Sequence, residues 1–171
     1  MFQVKRHGMF QFDHSNAPKV FTEWTLHQDH MLLVCLSLHG TSRCDDIAKY
    51  SIFSGFEQRH LHSRTKHLLR FHSIKPLQRY RYDAYLIRNY FMDAERVALD
   101  GFVLNKHNCY WHPTMTDAEK VVFFLQFQLT ESRKRIFERL RDQLNILVWN
   151  QPDVRRHTTI EIVAMLWELE Q

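Results

Sequence analysis

From Trp24 to Phe71 the apolar positions recur with helical spacing in three short runs separated by turn residues. Met31, Leu32, Leu33, Cys35, Leu36 and Leu38 supply the stripe of a first helix that opens at Trp24 and Thr25. Gly40, free to take positive φ, ends it. A second, shorter helix is predicted to start near Asp45 and Asp46, acids suited to the positive end of a helix dipole, and to turn Ile47, Ala48 and Tyr50 inward before Ser54 and Gly55 close it. The third, from Glu57 to His72, buries Leu61, Leu68 and Leu69 and presents His62, Ser63, Lys66, His67 and Arg70 on its other faces.

Pro76 breaks that pattern, and helical spacing resumes from Tyr80 to Leu99 through Tyr85, Leu86, Tyr90, Phe91, Ala94, Val97 and Ala98. Asp100 and Gly101 end this connector helix, and FVLNKHNCYWHP reads as an irregular link. From Trp111 a second three-helix pattern follows. Thr116 with Glu119 makes a capping box ahead of an apolar face of Val121, Val122, Phe124, Leu125 and Phe127 or Leu129. Ser132 to Leu147 turns Ile136, Phe137, Leu140, Leu144 and Leu147 inward and Arg133, Lys134, Arg135, Arg139 and Arg141 outward. After a polar loop with Pro152, Thr158 and Glu161 cap a last helix through Ile160, Val163, Leu166, Trp167 and Leu169. Ahead of all this, FQVK and MFQF allow a small hairpin or an extended arm.

Only four Gly and four Pro among 171 residues, with 44% hydrophobic and 13% aromatic residues, point to a packed all-α chain rather than a disordered one. That length holds one ordinary domain or two small modules with a connector. The expected division is an arm over 1–20, a first module over 21–74, a helical connector over 75–110 and a second module over 111–171. Charge then sharpens the picture. The net charge is +4, yet Arg59, Arg64, Lys66, Arg70, Lys75, Arg79 and Arg81 lie with four histidines in one acid-free stretch, so the remainder of the chain is net negative. Concentrated positive charge is what phosphate binding uses, since each neutralised phosphate releases counterions and adds salt-dependent affinity.

The run W-T-x-x-x-D-x-x-L-L, a Gly seven residues on, then D-I-A and a basic helix ending in L-L resembles a Myb/SANT repeat, a homeodomain-like module. KVFTEWTLHQDHMLLVCLSLHG with HLHSRTKHLLRFH is also similar in pattern to the SANT-like domain that ends Gon4-like and FLASH-type nuclear proteins. Of the three tryptophans usual in such repeats, Trp24 is present, while Asp45 or a neighbour and Thr65 stand at the other places. The resemblance implies a nuclear, chromatin-associated role, with His62, Ser63 and Lys66 facing DNA and Arg59, Arg64, Lys75 and Arg79 touching phosphates; His67 and Arg70 share the helix. Because His62 and Ser63 replace the Lys and Asn that usually read bases, weak sequence preference and mainly electrostatic affinity are expected. W-x-x-x-M-T-D-A-E and the two runs after it look like a more distant second SANT repeat. Its last helix carries Glu161, Glu168 and Glu170, an acidic surface suited to a protein partner rather than DNA.

Two rival readings use the same residues: a purely protein-binding scaffold of a nuclear complex, and a helix-loop-helix dimerising factor over 131–171 with Arg133 to Arg141 in the major groove. Against the second, Ile136, Phe137 and Leu140 interrupt the basic residues. Cys35, Cys44 and Cys109 are odd in number and scattered, which does not make a disulfide framework and suits a reducing compartment. His107, Cys109 and His112 lack the fourth ligand and the paired spacing of a zinc site, so no metal is expected. No catalytic motif or phosphate-cradling glycine loop is present, and Asp13–His14 and Asp29–His30 are read as surface pairs, so neither an enzyme nor a cofactor is expected. No run reaches the length of a membrane helix or a signal-peptide core, which predicts a soluble, intracellular protein.

Overall fold

The computed structural model describes residues 24–146 and, beyond them, Ala164 alone. The N-terminal arm and the last helix of the second pattern, with its Glu161, Glu168 and Glu170, lie outside the described residues. Within them the chain is mostly helical: α1 (Leu26–His39), α2 (Cys44–Ile47), α3 (Gln58–Leu69), α4 (Ala84–Met92), α5 (Ala94–Leu99), α6 (Asp117–Phe124) and α7 (Glu131–Ile146). Strands β1 (Val103–Leu104) and β2 (Tyr110–Trp111) form one small antiparallel hairpin.

The ends of α1 follow from single residues. Thr25 Oγ1 accepts the Gln28 N–H at 3.2 Å while Gln28 Oε1 accepts the Thr25 N–H at 3.0 Å, so two orphan donors of the first turn are satisfied reciprocally. At the other end Gly40 sits at φ +92° and its N–H reaches the Leu36 carbonyl at 2.8 Å. Between these caps, Met31 to Ser37 are buried without a break, so α1 is a central helix enclosed on all sides and not an amphipathic one with a single stripe. It packs against α2, α3, α4 and, along its length, α7. Ser37 is the one polar group in that buried run. Its hydroxyl donates to the Leu33 carbonyl at 3.0 Å and accepts the Ala84 N–H at 2.9 Å, tying α1 to the start of α4.

A second packing centre is aromatic. Phe91 stacks on Phe71 at 5.3 Å and on Tyr110 at 5.7 Å, meets the edges of Phe102 and Tyr90 at 5.3 and 5.0 Å, and lies near Phe124. These rings join α4, α6, the hairpin and the segments that follow α3 and precede β1. The buried apolar core is continuous from Met31 to Leu144, so the residues of both three-helix patterns contribute to one interior.

Several expected details differ. The connector is two helices, because Asp93 leaves helical geometry and caps α5 through the Arg96 N–H at 3.1 Å. The link expected to be irregular forms the hairpin, turned by Asn105, whose side-chain oxygen accepts the N–H groups of His107 at 2.8 Å and Cys109 at 3.0 Å, with Asn108 at φ +58°. On α6 the inward residues are Phe123, Phe124 and then Phe127, whereas Val122 and Leu125 face out. On α7, Phe137, Leu140 and Leu144 are buried as expected. Arg133 is not outward: its guanidinium pairs with the fully buried Asp83, which also caps α4 through the Leu86 N–H.

Candidate nucleic-acid interface on the third helix

Helix α3 starts after Glu57, which is extended and whose N–H is taken by His60 Nδ1 at 3.1 Å. It is held to the core by Leu61, Thr65, Leu68 and Leu69, with the Thr65 hydroxyl donating to the Leu61 carbonyl at 2.7 Å. Those positions recur at helical spacing, which forces Arg59, His62, Ser63, Lys66 and His67 to the opposite side, with Arg70 just beyond the helix end. Of these, Arg59, His62, Ser63 and His67 are exposed, and Lys66 and Arg70 are half-buried. The helix ends at Leu69, three residues earlier than its sequence pattern predicts. Arg70 takes a left-handed conformation at φ +53°, its carbonyl accepts the Tyr110 N–H at 2.7 Å, and the His72 N–H reaches the Tyr110 carbonyl at 2.8 Å. Pairing with the hairpin thus replaces the last helical turn.

Charge compensation sorts the basic residues. Arg64 is half-buried and forks onto Asp29 with hydrogen bonds of 2.8 and 2.6 Å while its guanidinium also lies over the Trp24 ring. A bidentate pair shielded from water is held firmly, so Arg64 fixes α3 to α1 and has little left for a ligand. Asp29 and His30, expected at the surface, are both structural: His30 Nδ1 lies 2.8 Å from the Tyr85 hydroxyl. Arg59 pairs with Glu57 at 2.8 Å, but both side chains are well exposed, and such pairs contribute at most about 1 kcal/mol and exchange readily. Lys75, in the 3-10 turn after α3, is 3.8 Å from Asp117 and equally exposed. Lys66, Arg70, Arg79 and Arg88 have no carboxylate within ion-pair distance among the described residues.

Three open clefts line the helix. Arg59 and His62 share one of about 450 Å³ with Thr41, Ser42 and Gln78, where the buried Thr41 hydroxyl has no hydrogen-bond partner among the described residues. Ser63, Arg64 and His67 share another of about 380 Å³ with Trp24 and His60. His67 and Arg70 line a third, also of about 380 Å³, together with Arg88, Met92 and Asn108. Comparison with protein-family models, curated proteins and solved structures finds no match. The geometry therefore stands on its own.

His62 and His67 are poised toward their neutral form. Burial, and after it the Lys66 ammonium, lowers the pKa of His62; burial, followed by Arg64, lowers that of His67, with Asp29 opposing. At neutral pH the positive field is therefore carried by Lys and Arg. Arg88, brought to this face by α4, was not singled out from the sequence, where it is one basic residue in an aromatic helix. Around Trp24 the aromatic packing comes from Phe53 and Phe56, with ring centres 6.3 and 4.4 Å away, while Thr65 is fully buried and Asp45 exposed.

Among the described residues no group of three or more His, Cys, Asp or Glu is placed to hold a metal ion. Cys109 Sγ lies against the Lys66 and His107 carbonyls, and His112 reaches the Asp100 carbonyl at 3.2 Å. All three cysteines are free and buried, and burial pushes the Cys35 thiol up to about 12. No helix of the described residues is long and apolar enough to cross a membrane.

Proposed function

We propose that this protein binds nucleic acid through the exposed side of α3, as a nuclear DNA- or chromatin-associated adaptor in transcription regulation. The observation that carries the reading is the sorting of charge on that helix: one side is anchored by Leu61, Thr65, Leu68 and Leu69, and the other presents Arg59, Lys66 and Arg70 with no acidic side chain within α3 itself. Ser63 and the two neutral histidines between them donate or accept hydrogen bonds without fixing a base, so phosphate contacts dominate and sequence preference is weak. The second three-helix pattern, residues 111–171, is proposed to engage a protein partner.

The test is the affinity of the full chain for a mixed-sequence duplex across a salt series. Micromolar binding that weakens with a slope corresponding to roughly four phosphates supports the reading, and Lys66→Glu should lower affinity at least tenfold. Tight binding that persists and discriminates sequences as salt rises would overturn the electrostatic mechanism. Absence of binding at low salt would overturn the nucleic-acid reading and assign α3 to an acidic protein motif, as in a scaffold of a nuclear complex.

A further inference from the structure

The basic face does not end with α3. At its C-terminal end the chain turns at Arg70, whose left-handed backbone is held by the Tyr110 N–H and whose guanidinium lies over the Tyr110 ring with its centre 5.4 Å away. Such a conformation is unfavourable for a residue with a Cβ, and it aims this side chain away from the helix and toward α4. Arg70 Nη1 reaches Met92 Sδ at 3.6 Å. From the other side, Arg88 Nη1 donates to the Leu68 carbonyl at 3.1 Å, one of the acceptors that α3 leaves open at its end. That bond also covers the negative end of the helix dipole, which would otherwise repel an anion. His67 and Asn108 complete the cleft of about 380 Å³.

Two arginines are therefore held side by side in one concave site by a carbonyl, a thioether and an aromatic ring, and by no carboxylate among the described residues. Two fixed, uncompensated guanidinium groups with a hydrogen-bonding imidazole and carboxamide match one tetrahedral oxyanion, with the unused N–H groups of each fork directed at different oxygens. We infer that Arg70 and Arg88, assisted by His67 and Asn108, clamp a single backbone phosphate of the bound nucleic acid, so that the track bends from α3 onto α4. The inference rests on the nucleic-acid reading of α3 and extends it to an element that carries none of the sequence resemblance.

The experiment is the same duplex titration with full-length Arg88→Gln, set beside Arg70→Gly. Arg88→Gln should weaken binding about five- to tenfold at low salt and reduce the log–log salt slope by about one phosphate. Arg70→Gly removes the second cation while giving the left-handed position its preferred residue, so its melting temperature should hold or rise while affinity falls and the slope again drops by about one. If the parent chain binds but both variants keep its affinity and slope, the clamp is wrong and the reading of α3 survives. If the parent chain does not bind, both fail together. A fall in affinity for Arg88→Gln with an unchanged slope assigns Arg88 a purely structural role at the end of α3 and overturns the clamp.

Discussion

Asp83 shows how much one side chain can carry. It is fully buried, caps α4 through the Leu86 N–H and pairs with Arg133 on α7, while its own N–H reaches the Phe127 carbonyl at 2.7 Å. Removing it takes away the buried ion pair with Arg133 and the cap of α4 together. Asp83→Ala should therefore destabilise the chain by about 3 kcal/mol, read as a shift of the urea midpoint, with Asp83→Asn intermediate because the amide keeps the cap but not the charge. The histidines respond to pH in two opposed ways. Burial lowers the pKa of His30 and of His39 below the ordinary 6.5. Their contribution to stability is complete above the unfolded value and is lost as pH falls from about 6.5 toward the lowered folded values. Thermal melting between pH 7.5 and 5.5 should show that decline. Phosphate placed beside His62 and His67 acts in the other direction, offsetting Lys66 near His62 and Arg64, Arg70 and Arg88 near His67. Duplex affinity at constant ionic strength should accordingly rise as pH falls from 7.5 to 6.0, with proton uptake, and His67→Gln should reduce the gain.

At the scale of elements, what was legible in the sequence is what local chemistry decides. Thr25, Gly40, the acids of α2 and the Thr116 box mark their helix ends because each makes its hydrogen bond, dipole contact or turn within four residues. The exposed face of α3 was equally legible, since Leu61, Leu68 and Leu69 dictate which side is hidden. The misreadings have two causes: contact with distant residues, and apolar spacing that continues across a local break. The last turn of α3 is lost to Tyr110, forty residues on, and the aromatic run of Tyr80 to Leu99 hides the break at Asp93 because its apolar spacing continues across it. Arg64 reads as a ligand contact by charge, and only its separation from Asp29 across two helices reveals it as a clasp between α3 and α1. Arg88 was illegible for the complementary reason: nothing in α4 announces that it lies beside Arg70.

The whole molecule depends on α7. Phe137, Leu140 and Leu144 close over α1, and Tyr85 of α4 stacks on Phe137 at 5.6 Å. A fragment ending at residue 110 keeps every candidate DNA-facing residue of α3 but exposes one flank of the central helix, so it should lack a cooperative thermal transition and bind hydrophobic dyes. A sharp transition in that fragment, followed by calorimetry, would establish that the first three-helix pattern is self-sufficient. In the intact chain the partnership between α1 and α7 joins segments about a hundred residues apart. On the ribosome, at 5–20 residues per second, that separation is a wait of roughly 5–20 s during which Met31 to Leu36 have emerged without their cover. The central helix is thus the segment of the nascent chain that a chaperone would meet first, and slow codons placed between α1 and α7 would lengthen its exposure.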